Sequence, residues 1–432
     1  MIDRSSISNI DEFERSESAV RCYCRDMPSV FVRAINARVW DEDGHEYIDF
    51  LSGCGSLNYG HNNPAIKAKI VEYLGQDGIL NGLDLHTVAK REFLTEFREV
   101  ILEPRGLNYR IQFTGPSGTN SVEAALKLAR KVTGRQTVVA FTNAFHGMSL
   151  GSLSVTARAQ SRISAGVELS NVIRLPFDGY RGAGKAELDR YEAMVTDPSG
   201  GLDAPAAFIL ETIQGEGGLN CASGEWIQHL AALAKRLGAL LIVDDVQAGC
   251  GRSGDFFSFE PLDITPDLVC LAKSIGGVGL PMALLLIKPE YDVWEPGEHN
   301  GTFRGNSLAF VAGRAALQYW REPDFARHIY FCGQRIGDWI AELANELGVG
   351  VLEARGRGLM RGVRFPNVAT AGRVAQEAFA RHLLIETSGP YGEVLKLLPP
   401  CTIEPDVLDL GLSRLRLAAH AALGNGKLRP AA

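Results

Sequence analysis

From Arg110 onward the chain alternates between two patterns of hydrophobicity. Short, continuous apolar runs (RIQF, TVVAF, NVIRLPF, APAAFIL, ALLIVDD and TPDLVCL) are separated by stretches with helical periodicity such as EAALKLARKVTG and WIQHLAALAKRLG. Strands that are apolar at every position are buried on both faces, and strands alternating with helices form a mostly parallel sheet with helices on either side. Upstream, Val39 and Trp40 are followed by Asp43-Gly44 and then Tyr47, Ile48 and Phe50, which predicts a hairpin. The stretch SGCGSLNYGHNNP after it is rich in glycine and asparagine and predicts a loop. Helical spacing is expected from Pro64 to Leu74 and from Thr87 to Ile101, and again through NGTFRGNSLAFVAGRAALQYW.

Beyond that helix the rhythm changes. IGDWIAELANELG and AGRVAQEAFARHLL read as helices, and GVLEARGRGLMRGVRF and LIETSG as strands. The expected architecture is therefore α/β: a large domain with a mostly parallel sheet, followed by a smaller α+β C-terminal domain. The expected division is residues 1–64 as an arm and hairpin segment belonging to the small domain, 65–320 as the large domain and 321–432 as the small one. Residues 1 to about 30 read as a loose arm with one short helix.

With 432 residues and 46% hydrophobic content the chain can bury more than one core. A net charge of −7 argues against nucleic acid as the main partner. No apolar run is long enough for a membrane span, and the N-terminus MIDRSSISNIDEFERSES has no apolar signal core. The eight cysteines are scattered without zinc spacing, which suggests reduced thiols in a cytoplasmic protein. The histidines show no metal-binding spacing either, so no metal is expected.

The chemistry concentrates between Ala239 and Pro281. The run ALLIVDD ends in Asp244 and Asp245, and the next strand feeds Lys273. An acid at the end of a buried strand needs a cationic partner, and a lysine in apolar surroundings must be neutralised or used covalently. A ligand with a cationic ring nitrogen and an aldehyde answers both, and pyridoxal phosphate is such a ligand. In GPSGTNSVEAALKLAR, Ser117, Gly118 and Thr119 lie between a strand and a helix start, where free amides and the helix dipole favour a phosphate; an ordinary helix cap is the alternative. Gly249, Gly251 and Gly254 form a literal GxGxxG, yet the following DFFSFEP does not read as a helix, which weighs against a dinucleotide site. Phe145 and His146 follow an apolar strand, where a flat ring can stack on a pyridine or simply fill the core. Glu211 and Glu216 flank a glycine turn, as solvated loop acids or as substrate contacts paired with a base such as Lys396.

Taken in order and spacing, ETIQGEGG, VDDVQAGCGRSG, LAKS and GTFRGN resemble the fold-type I pyridoxal-phosphate enzymes, and within them the class-III aminotransferases, over nearly the whole chain. LNYGHNNP, GLDLHTVAKREF, ITPDLVCLAKS and RGRGLMRG narrow the likeness to ectoine-type members that exchange the terminal amino group of L-2,4-diaminobutyrate with 2-oxoglutarate. The alternative is a related ω-aminotransferase acting on ornithine, 4-aminobutyrate or another diamine. The resemblance implies that Lys273 carries the coenzyme, Asp244 faces the pyridinium, Gln247 contacts the ring hydroxyl, Gly118 and Thr119 hold the phosphate and Phe145 stacks. It implies that Thr302 reaches the coenzyme of a neighbouring subunit, hence a homodimer with composite sites. Departures are Pro116 and Asn120 in place of asparagine and glutamate, Asp245 in place of glutamate, and Lys396 where many relatives have an arginine opposite the acid matched by Glu216. A lysine is a point charge rather than a planar fork.

Overall fold

The continuous apolar runs form a seven-stranded sheet in the computed structural model, which describes residues 10–348 and 352–424. Its strand order is Arg110–Phe113, Leu284–Ile287, Leu268–Leu271, Leu240–Asp244, Ala207–Leu210, Val138–Phe141 and Val172–Leu175. Only Leu284–Ile287 runs against its neighbours; the pairs from Leu268–Leu271 outward to Val172–Leu175 are parallel.

The alternation of side chains explains why the central runs are apolar throughout. Leu241 and Val243 point into a core with Trp226, Leu230 and Phe256, while Leu240 and Ile242 pack under Val122, Leu126 and Ala129 of the helix Gly118–Thr133. Each fully buried leucine or valine contributes about 1.5–3 kcal/mol, so a polar residue is tolerated only at a strand end. That is where Asp244 and Asp245 stand. The helix Gly118–Thr133 starts where the Asn120 side chain accepts from the Ser117 amide at 3.2 Å, and it stops at Gly134, whose φ of 68° supplies the left-handed turn.

The C-terminal part has its own antiparallel sheet, ordered Glu353–Arg357, Met360–Arg364, Val394–Leu397, Glu386–Ser388. Part of the run expected from Gly350 lies outside the described residues, as do residues 1–9 of the expected arm. Three N-terminal strands, Phe31–Ile35, Arg38–Asp41 and Glu46–Asp49, make a third sheet that is completed by Leu383–Leu384, with Leu383 opposite Ile48. Ile48 and Phe50 share a core with Ile329, Ile336, Leu395 and Leu415. The expected hairpin turns at Gly44, with φ of 84°.

One expectation is corrected. The helix expected through residues 300–320 spans only Ser307–Leu317, because Gly305 has φ of 83° and the Asn306 side chain caps the helix by accepting from Leu308 N at 2.9 Å. The segment before it, with Thr302, is loop. The helices Lys185–Thr196 and Pro405–Gly424 carried no expectation. Residues 249–254 are consecutive turns with Cys250, Gly251 and Gly254 at positive φ, and no helix follows to receive a dinucleotide phosphate. No helix among the described residues is long and apolar enough to cross a membrane.

Candidate active site

The parallel strands deliver their carboxyl ends to one edge of the sheet, where ligands bind in folds of this kind. Asp244 ends its strand almost fully buried. One oxygen lies 2.7 Å from His146 Nδ1 and the other accepts from the Val246 amide at 3.1 Å. Burial alone would push the His146 imidazole down; the bond to Asp244 and its charge outweigh burial and raise it above the ordinary histidine range. His146 Nε2 is buried without a partner.

Glu211, just past the neighbouring strand Ala207–Leu210, accepts from the Phe145 amide at 3.0 Å and the Gly215 amide at 3.1 Å. Burial pushes its carboxyl up to about 7. Glu211 thus fixes the backbone that presents the half-buried Phe145 ring. Gln247 donates from Nε2 to Cys54 O at 3.1 Å and to Glu216 Oε1 at 3.3 Å, while its Oε1 is buried and unpartnered.

Lys273 follows the strand Leu268–Leu271 with φ of 53°, a left-handed conformation uncommon outside glycine. Its ammonium is half-buried and has no hydrogen-bond or ion-pair partner among the described residues. A lysine held in strain at a strand end, with no partner at ion-pair distance among the described residues, needs a reason in chemistry.

Ser117, Gly118 and Thr119 form the first turn of their helix, where amides lack intrahelical acceptors. A Cβ on Gly118 would sit 2.7 Å from Val246 Cγ1, next to the strand end of Asp244, so the turn can approach only as glycine. Thr119 Oγ1 lies 2.6 Å from Ser149 Oγ.

Lys396 is fully buried and pairs with Glu216 at 2.7 Å, as the sequence suggested, and also with Glu386 at 3.0 Å. Glu386 sits directly across the strand pair from Lys396. Cys54 Sγ lies 3.5 Å from Glu386 and 3.8 Å from Glu216, and the Tyr23 hydroxyl reaches Cys54 at 3.1 Å. Burial pushes the Cys54 thiol up to about 11, so it is neutral. Glu386, Cys54 and Tyr23 were missed by sequence reasoning. The signal available was a charge directly after the apolar run LLI and another inside the apolar strand VLKL. Thr302, by contrast, lies in an exposed loop and contacts none of these residues.

These groups fit pyridoxal phosphate: Lys273 for the aldehyde, Asp244 for the ring nitrogen, the unpartnered Gln247 Oε1 and His146 Nε2 beside it, Phe145 for a ring face, and Ser117, Gly118 and Thr119 for a phosphate. Fold and site together define a pyridoxal-phosphate-type transferase. The profile of the family "Aminotransferase class-III" matches residues 23–419, and the chain belongs to that family, with its cofactor pyridoxal phosphate. It is 53% identical over 414 residues to a diaminobutyrate–2-oxoglutarate transaminase of Streptomyces avermitilis, covering 95% of this chain and 98% of that one. A Halalkalibacterium halodurans protein of the same description is 51% identical over 423 residues, 98% of this chain and 99% of that one. Among solved structures, N-acetylornithine aminotransferase from Stenotrophomonas maltophilia aligns with a TM-score of 0.75 at 27% identity, over 96% of this chain and 100% of that one. Ornithine aminotransferase from Toxoplasma gondii aligns with a TM-score of 0.82 over 96% of this chain and 94% of that one; at 24% identity it speaks for the fold.

Proposed function

We propose that the chain interconverts L-2,4-diaminobutyrate and 2-oxoglutarate with L-aspartate 4-semialdehyde and L-glutamate. The observation that carries this reading is the likeness, along almost the entire chain and above half identity, to transaminases of that description. When bound, pyridoxal phosphate supplies an aldehyde for the amine and a ring that accepts the electron pair of the broken C–H bond. The other tasks fall to the chain. Asp244, aimed by its bond to His146, holds a proton on the ring nitrogen. Gln247 contacts the ring hydroxyl, Phe145 covers one face, and Ser117 with the Gly118 and Thr119 amides holds the phosphate. Lys273 takes the proton from the donor's terminal carbon and returns it on the other side of the transfer. Lys396 receives a carboxylate of the acceptor when Glu216 turns away.

Thr302 in its exposed loop supports a homodimer in which each subunit completes the other's site. The exposed apolar side chains Ile79, Leu80, Leu83 and Phe303 around that loop support it as well. A cytoplasmic setting agrees with eight free cysteines. Ornithine, 4-aminobutyrate or another diamine as donor is the second reading, kept open because Lys396 replaces the arginine of many relatives.

A panel of these donors with 2-oxoglutarate, read as glutamate formed, tests the proposal. The diaminobutyrate reaction is expected to have the highest kcat/KM. A tenfold preference for ornithine or 4-aminobutyrate would overturn it.

A further inference from the structure

The charges in ion-pair contact at Lys396 do not balance: one buried ammonium faces two carboxylates, Glu216 at 2.7 Å and Glu386 at 3.0 Å, and the Lys273 charge that also reaches Glu216 is committed to the coenzyme in the proposed reading. Glu386 is 8% exposed, so water cannot answer the surplus negative charge at the low cost it has on a surface. Cys54 Sγ, Glu216 and Glu386 offer atoms that all lie within 4.8 Å of one another. Gln247 bridges from Glu216 and the Cys54 carbonyl toward the coenzyme site, and the Lys273 charge is felt by both Cys54 and Glu216. The neighbouring polar groups, the Cys54 thiol and the Tyr23 hydroxyl, are neutral and cannot supply a cation. A metal dication is disfavoured, because Lys396 already occupies the same two carboxylates.

We propose that Glu386, together with Glu216, forms the subsite for a second ammonium on the amino donor, so that the site selects diamino acids over ω-amino acids that have only the reacting amine. This rests on the aminotransferase reading above and deepens it. A ligand ammonium arriving between Cys54 and the two acids would give each carboxylate a cation, whereas a donor lacking it would leave one acid uncompensated. Burial raises the Glu386 carboxyl, whereas Lys396 and its bond outweigh burial at Glu216 and lower it. Glu386 is fixed by its cross-strand register with Lys396 rather than by a loop, so the selectivity is built into the sheet.

The test uses holoenzyme and two measurements. In the first, wild type and Glu386→Gln are compared by kcat/KM for L-2,4-diaminobutyrate and for 4-aminobutyrate at saturating 2-oxoglutarate. The ratio of the two is expected to fall by about tenfold or more in the variant, as for loss of one charge-assisted hydrogen bond, with partial recovery in Glu386→Asp. In the second, calorimetry on the wild type measures L-2-aminobutyrate, which carries the α-ammonium without the terminal amine, against butyrate, which carries neither. L-2-aminobutyrate is expected to bind at least tenfold more tightly. An unchanged ratio in Glu386→Gln overturns the proposal, and so does equal binding of the two ligands to the wild type, which decides the matter even where a variant fails to fold. A wild type that produces glutamate from none of the amino donors would instead sink the aminotransferase reading.

Discussion

Asp245 is a buried acid with a different job from its neighbour Asp244. It accepts from the Ser258 amide at 3.0 Å and its other oxygen is buried without a partner. Burial pushes its carboxyl from the usual 3.8 up to about 7. A carboxyl whose folded pKa lies above its unfolded value binds more protons when folded. Its contribution to stability is complete below the unfolded value and is lost as pH rises toward the folded one. The shift is worth about 4 kcal/mol, at about 1.4 kcal/mol per pKa unit. Urea unfolding should therefore show the wild type losing stability between pH 4 and 7. Asp245→Asn should remove the Asp245 share of that slope and leave the share of Glu211, whose carboxyl is also pushed up to about 7; an identical slope in the variant would show that folding does not raise the Asp245 carboxyl. Residue by residue, Lys273, Asp244 and the pairing of Glu216 with Lys396 were legible because an unusual charge beside an apolar run is visible in a one-dimensional string. Glu386, Cys54 and Tyr23 were not, since the cluster gathers Tyr23, Cys54, Glu216 and the strand pair carrying Glu386 and Lys396 from four separate segments.

Among the elements, the central strands were the most readable part of the chain, because burial on both faces leaves long apolar runs. The helix Lys185–Thr196 was missed because its apolar stripe is thin, with only Leu188 and Tyr191 buried. The helix Pro405–Gly424 was obscured for another reason. Leu408, Leu410 and Leu412, then Leu415 and Leu417, recur every second residue and mimic a strand, although Leu410 and Leu417 are exposed. The strand–turn–helix unit at Ser117–Thr119 makes a prediction at this scale. Gly118 leaves no room for a Cβ against Val246, so Gly118→Val must push the turn away from the strand end. The variant is expected to retain its fold by circular dichroism and to bind pyridoxal phosphate at least tenfold more weakly by equilibrium dialysis. Unaltered affinity would show that the turn does not hold the phosphate.

At the scale of the whole molecule, the proposed dimer organises the exposed loop around Thr302. Phe303 is 70% exposed beside it, and the loop is tied to the segment carrying Leu80 and Asp84 by the Ser307 amide donating to Leu80 O at 3.1 Å and by Arg304 pairing with Asp84 at 3.0 Å. Phe303→Asp is expected to shift sedimentation toward the monomer and to lower activity with it; a variant that stays dimeric would place the interface elsewhere. Family membership and the coenzyme are properties of the whole chain, whereas the proposed attachment rests on a single amine, the Lys273 ammonium, which has no hydrogen-bond or ion-pair partner among the described residues. The most direct measurement is to reduce the purified, coenzyme-loaded protein with borohydride, digest it and locate the pyridoxyl mass by mass spectrometry. The adduct is expected on the peptide containing Lys273 and to vanish in Lys273→Ala. An adduct on another lysine, or none at all from protein that has bound the coenzyme, would contradict the account.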